Sequence, residues 1–212
     1  VSSEHFTIRW DDELIDYIRE QGDDPDDYLS DTVLSESLEL MEEVWDLYIE
    51  KYGLEAPYAD AETKYKTDFH VTEKGSYGGG LWGHGIMWIS YKGLGGSAVD
   101  HEFAHAWQLT TGGMQNNSYV GFFWESHARL MTYMFENYVE EKDDTKCSAY
   151  VAKYPHVYPG STRMHYCNWP YLEYLRQEFG MDRVSEIWTE APTEEDPTNQ
   201  AETTPFNSLQ DN

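Results

Sequence analysis

Every strand-like stretch of this 212-residue sequence lies before Lys92, and every periodic stretch after it has the spacing of a helix. His5-Phe6-Thr7-Ile8-Arg9-Trp10 alternates as a half-buried strand does, and Tyr65 to Thr72 and Leu81 to Tyr91 read as two more. Leu34, Leu38, Met41, Val44, Trp45 and Tyr48 recur at helical steps, so Ser30 to Tyr52 is expected to form one amphipathic helix stopped by Gly53. Further helices are expected from a Ser97 cap to about Thr111, from about Tyr119 to Glu140, and from Tyr171 to Phe179. Pro170 opens the last of these and Gly180 closes it. Gly75-Ser76-Tyr77-Gly78-Gly79-Gly80 and Gly93-Leu94-Gly95-Gly96 read as loops, the first of them flexible. Strands with one helix, then helices alone, give an α+β fold: a small, mostly antiparallel sheet followed by a helical half. Residues 1–191 make one domain on this reading, and 192–212, with Pro192, Pro197 and Pro205, a polar tail or extended wrap.

Charge narrows the partners. Fourteen Lys and Arg against 40 Asp and Glu leave a net charge of −26, which repels phosphate backbones and anionic lipid and argues against nucleic-acid or membrane-surface binding. Solubility accounts for that charge, and so does a salty or extracellular setting. No apolar run approaches the ~18–20 residues of a membrane span. Asp23-Asp24-Pro25-Asp26-Asp27 lacks the ligand spacing of an EF-hand and reads as a solvated turn rather than a calcium loop. Cys147 and Cys167, 20 residues apart in an acidic chain rich in Tyr and Trp, read as a disulfide ahead of a redox or metal pair. Asn116-Asn117-Ser118 is a glycosylation sequon, meaningful in a secreting eukaryote. The sequence opens at Val1 without a basic start or apolar stretch, so a leader peptide is taken as removed or omitted.

The chemistry concentrates in His101-Glu102-Phe103-Ala104-His105, inside the expected Ser97 helix. Residues four apart stand one turn above each other, so both imidazoles point the same way and can grip one Zn²⁺. Glu102, rotated by about 100°, is placed to reach a water rather than compete as a ligand. Two structural histidines on a buried face are the plain alternative. Gln108 and Thr111 stand where a metzincin needs Gly and His, which excludes that subclass. Glu125 follows His105 by 20 residues, in Trp124-Glu125-Ser126-His127-Ala128-Arg129, on the next expected helix.

Over roughly Gly83 to Met131 the chain here resembles the gluzincin metallopeptidases, the thermolysin-like group, in which HExxH is followed one helix later by a glutamate ligand. The resemblance implies a zincin-like fold and one catalytic Zn²⁺ held by His101, His105 and Glu125. It makes Glu102 the general base for a zinc-polarised water. It also implies an oxyanion donor downstream, for which His165 and Tyr166 in Met164-His165-Tyr166-Cys167 are the match, with plain packing of both as the alternative. An extended substrate would pair with a sheet edge just before the motif helix, at Gly83, Gly85 and Trp88. One departure stands out: Arg129 occupies the place of an aspartate that supports a metal histidine in that group. His127 competes with Glu125 as third ligand; otherwise it supports a ligand from behind or faces substrate. The expectation is a secreted, monomeric zinc metalloendopeptidase acting on protein or peptide. Its rival is a non-catalytic module of the same fold, binding glycan or protein, with zinc structural or lost; Glu102 favours the enzyme.

Overall fold

The computed structural model describes residues 1–57, 66–81, 84–96, 98–111, 123–139, 145–157 and 164–190. They form two compact units, Val1–Lys51 with Glu55–Trp107, and Tyr52–Leu54 with the chain from Gln108 onward. Ser97, Gly83, the Asn116 sequon and the 192–212 tail lie outside the described residues.

The first unit runs β1 (Phe6–Arg9), α1 (Asp12–Glu20), α2 (Asp26–Leu29), α3 (Asp31–Trp45), a π-helical turn (Asp46–Lys51), β2 (Thr67–Thr72), β3 (Tyr77–Leu81), β4 (His84–Ser90), a 3₁₀ turn (Tyr91–Gly93) and α4 (Val99–Gln108). The fold is α+β, and the strands form one sheet in the order β1-β2-β4-β3. The expected mostly antiparallel sheet is corrected here. β1 pairs parallel to β2 and β2 parallel to β4, and only β3 and β4 are antiparallel. The reason is connectivity: α1 to α3 lie between β1 and β2, the long helical crossover a parallel pair requires, whereas β3 and β4 adjoin in sequence and pair back on themselves.

Two further expectations change with the sheet. The Gly75–Gly80 stretch is not a loop throughout, because Tyr77–Leu81 pairs residue for residue with β4, from Tyr77 with Trp88 to Leu81 with His84. Strand pairing supplies the backbone bonds that free glycines lack, and α4 lies against this strand. Consequently β4 is not an edge: Gly85 and Trp88 sit on an interior strand flanked by β2 and β3, and the outer strands are β1 and β3. An extended substrate has no open backbone to pair with at Gly85 and Trp88.

Period-two burial fixes which face of the sheet is covered. Phe6 and Ile8, Thr67, Phe69 and Val71, and Met87 and Ile89 are buried, while Asp68, His70, Thr72, Ile86, Trp88 and Ser90 between them are partly open. On the covered face Phe6 meets Trp45 and Phe103 edge-on at 5.9 and 5.3 Å, and Tyr48 stacks on Phe103 at 5.9 Å. Those rings place α3, its π-helical turn and α4 on one side of the sheet. The Tyr48 hydroxyl donates to the Asp100 carbonyl, 3.4 Å away, in the first turn of α4.

The start of β1 is tied to α3 by one carboxylate. Glu42 accepts from the His5 backbone N–H (2.9 Å) and meets His5 Nδ1 at 2.6 Å, while the His5 ring stacks on Trp45 at 4.0 Å. Burial pushes the Glu42 carboxyl up, but the hydrogen bonds and charge of His5 help outweigh it and hold the group below its ordinary 4.5. A carboxylate so depressed stabilises the fold above that ordinary value, and the stabilisation is lost as pH falls through the lower, folded one. Glu42→Gln should therefore be less stable than wild type by about 1 kcal/mol near neutral pH, with the gap closing below about pH 4. Urea unfolding of both proteins across that range checks it; a gap that persists in acid would mean the charge is not what matters.

The second unit is helical: α5 (Phe123–Val139), α6 (Thr145–Lys153), α7 (Trp169–Phe179) and α8 (Met181–Thr189). Gly180, at φ +92°, takes the chain from α7 into α8. The Cys147–Cys167 disulfide is formed, with Cα atoms 4.7 Å apart, and joins α6 to the turn before α7. Tyr133 of α5 stacks on Trp169 of α7 at 4.2 Å, and Trp188 of α8 packs against Trp124 and His127 of α5. Among the described residues no helix is long and apolar enough to cross a membrane.

Candidate metal centre

His101 and His105 lie one turn apart on α4, with ring planes perpendicular and centroids 4.7 Å apart. Their Nε2 atoms stand 3.1 Å from each other. A tetrahedral zinc with bonds of about 2.05 Å to nitrogen asks for an N···N separation of about 3.3 Å, so the imidazole pair is already near ligand spacing. Glu125 is the third residue of α5. One donor atom from each of His101, His105 and Glu125 lies within 4.8 Å of the other two, a spacing that can hold a metal ion. Two imidazoles and one carboxylate are a donor set that zinc accepts. Among the described residues this is the one such group of His, Cys, Asp or Glu.

Glu102 is 7% exposed, and its backbone explains why a glycine strand lies where it does. A Cβ on Gly78 of β3 would fall on the Glu102 carbonyl oxygen, 2.7 Å from His105 Cβ and 2.9 Å from Ala106 N. The sheet thus meets the motif helix closely along Glu102 to Ala106. Gly85 is the second close approach, its would-be Cβ 3.3 Å from Ala106 Cβ and from Pro57 Cβ. Trp88 faces away from it and stacks on Tyr77 at 4.8 Å.

The group that could hold a metal ion includes Glu125 and not His127. His127 is fully buried; its Nδ1 accepts from the Gln108 amide at 2.9 Å and its ring lies 5.3 Å from that of Trp188. His165 and Tyr166 occupy the turn Met164–Asn168, in the same unit as Glu125. Their rings stand perpendicular at 4.5 Å, and Tyr166 is 45% exposed. That turn is held by the Cys167 disulfide, the Cys167 backbone N–H (2.7 Å) and Asn168 side-chain N–H (2.9 Å) donating to the Met164 carbonyl, and the Ser126 hydroxyl donating to the His165 carbonyl (2.5 Å). Arg129 is half-buried one turn beyond Glu125.

Gln108 and Ser126 are the site's neighbours that sequence reasoning passed over. The signal lay in their type and place: an amide and a hydroxyl among apolar helix positions, each 0% exposed. Buried polar groups have partners.

A family model matches residues 1–205, almost the whole chain. The chain belongs to DUF6055, a family of unknown function. No curated protein and no solved structure matches this DUF6055 chain.

Proposed function

We propose that this DUF6055 chain is a zinc-dependent peptidase of the gluzincin type, secreted, and cutting internal bonds of extended peptides. The carrying observation is the convergence of His101, His105 and Glu125 with a buried glutamate directly after the first histidine. Zinc, when bound, supplies the Lewis acidity that brings the pKa of water towards ~7. Glu102 takes the proton from the attacking water and hands it to the leaving amine nitrogen. His165 or Tyr166 donates a hydrogen bond to the substrate carbonyl oxygen as negative charge gathers there. His101, His105 and Glu125 do no proton transfer; they fix where the water and the carbonyl meet. The disulfide supports secretion, since such bonds persist in oxidising compartments.

Elemental analysis with a peptide-cleavage profile tests the reading. One zinc per chain is expected, with cuts inside peptides that cease on chelation and return when zinc is restored. A chain loaded with zinc that cuts nothing would instead be the non-catalytic module, and a chain that takes up no zinc would end the reading.

A further inference from the structure

Gln108 ends α4 three residues beyond His105, and its side chain is enclosed completely. Its amide nitrogen carries two hydrogens. One is donated to the Trp124 carbonyl at 3.1 Å, the other to His127 Nδ1 at 2.9 Å. Trp124 immediately precedes Glu125 and His127 follows it by two, so a single amide group grips the chain on both sides of the carboxylate. The Trp124 carbonyl fixes the amide's orientation: turned over, its oxygen would face that carbonyl oxygen, acceptor against acceptor. The His127 ring is held in turn by Trp188.

We propose that Gln108 is the positioning residue for Glu125, its amide bridging the Trp124 carbonyl and His127 and so setting the direction in which the carboxylate leaves α5. The inference rests on the zinc reading above and deepens it. A side chain of equal volume without donors would fill the same space. It would leave the Trp124 carbonyl and His127 Nδ1 without the amide, and the first turn of α5 free to rotate. Partners standing behind metal ligands characteristically change affinity by about 10- to 100-fold when removed, and that is the size expected here. Ser126, between the bracketed residues, bonds instead to the His165 carbonyl and serves as the internal control.

The test uses the full chain and two readouts: zinc affinity by competition with a chelator, and amide hydrogen exchange over the first two turns of α5 in zinc-free protein. Gln108→Met should weaken zinc about 10- to 100-fold and speed that exchange. His127→Leu should do the same, whereas His127→Asn, which keeps an acceptor near the place of Nδ1, should retain most of the affinity. Ser126→Ala should lower the melting temperature and leave zinc affinity unchanged, which separates positioning from general loss of stability. Wild-type affinity in both Gln108→Met and His127→Leu overturns the proposal. If Gln108→Met does not fold, the contrast between His127→Leu and His127→Asn decides in its place. Should wild type bind no zinc, the metal reading fails by itself, and unchanged exchange in the variants then overturns the clamp.

Discussion

Glu102→Gln is expected to bind zinc as wild type does and to cut peptides about 10²- to 10⁴-fold more slowly, the range a positioned general base supplies. The substitution keeps shape and volume at a buried position, so packing against β3 is preserved. What it removes is the capacity to take a proton. His101→Ala fails differently: an imidazole whose Nε2 lies 3.1 Å from its partner is lost, and zinc binding should go with it. Zinc content and turnover measured side by side separate the cases. Undiminished cleavage by Glu102→Gln would remove the base from the scheme, and zinc retained by His101→Ala would remove the ligand.

How much of this could be read beforehand divides along a physical line. Elements whose own side chains carry a period were legible: β1, β2 and β4 alternate, α3 repeats at three and four, and α7 is bounded by Pro170 and Gly180. Elements whose stability comes from elsewhere were not. α1 buries only Leu14 and Ile18, two residues one turn apart, too short a stripe to stand out. β3 has almost no side chains with which to signal a strand, and its pairing partner and the helix against it make it one. Sheet order follows from where α1 to α3 cross over, which periodicity does not encode, so the antiparallel expectation and the edge position of Gly85 and Trp88 failed together.

The site was legible to a different depth. HExxH sets two imidazoles on one helix face and a carboxylate turned away from them through helix geometry alone, because four residues make about one turn whatever surrounds them. Glu125 sits 20 residues on, and only the fold could choose between it and His127, two positions further along the same helix. The structure puts the carboxylate with the histidines and gives the imidazole to Gln108. That bond joins residues 19 apart in sequence, and the Ser126 bond to the His165 carbonyl joins residues 39 apart. Neither leaves a local pattern, since each partner reads as an ordinary polar helix or turn residue until the chain is folded.

Among the described glycines, Gly78→Ala is expected to be the most damaging change to alanine. By local propensity the change should help, since alanine in place of a strand glycine reduces the freedom of the unfolded chain and ordinarily stabilises by about 0.5 to 1 kcal/mol. Tertiary geometry reverses the sign. The new Cβ would fall on the Glu102 carbonyl oxygen, with His105 Cβ and Ala106 N under 3.0 Å away. These are backbone atoms and the root of a side chain, so nothing flexible can give, and either β3 or α4 must move. Overpacking of this kind costs about 3 kcal/mol or more. A shift of α4 carries His105 with it, so weaker zinc binding should accompany the fall in melting temperature. Gly85→Ala calibrates the effect: its Cβ would meet two Cβ atoms at 3.3 Å, a tight contact rather than an overlap, and should be far milder. Thermal unfolding with and without zinc measures both. If Gly78→Ala proves as stable as wild type with its zinc affinity intact, the glycine strand does not lie against the motif helix as described.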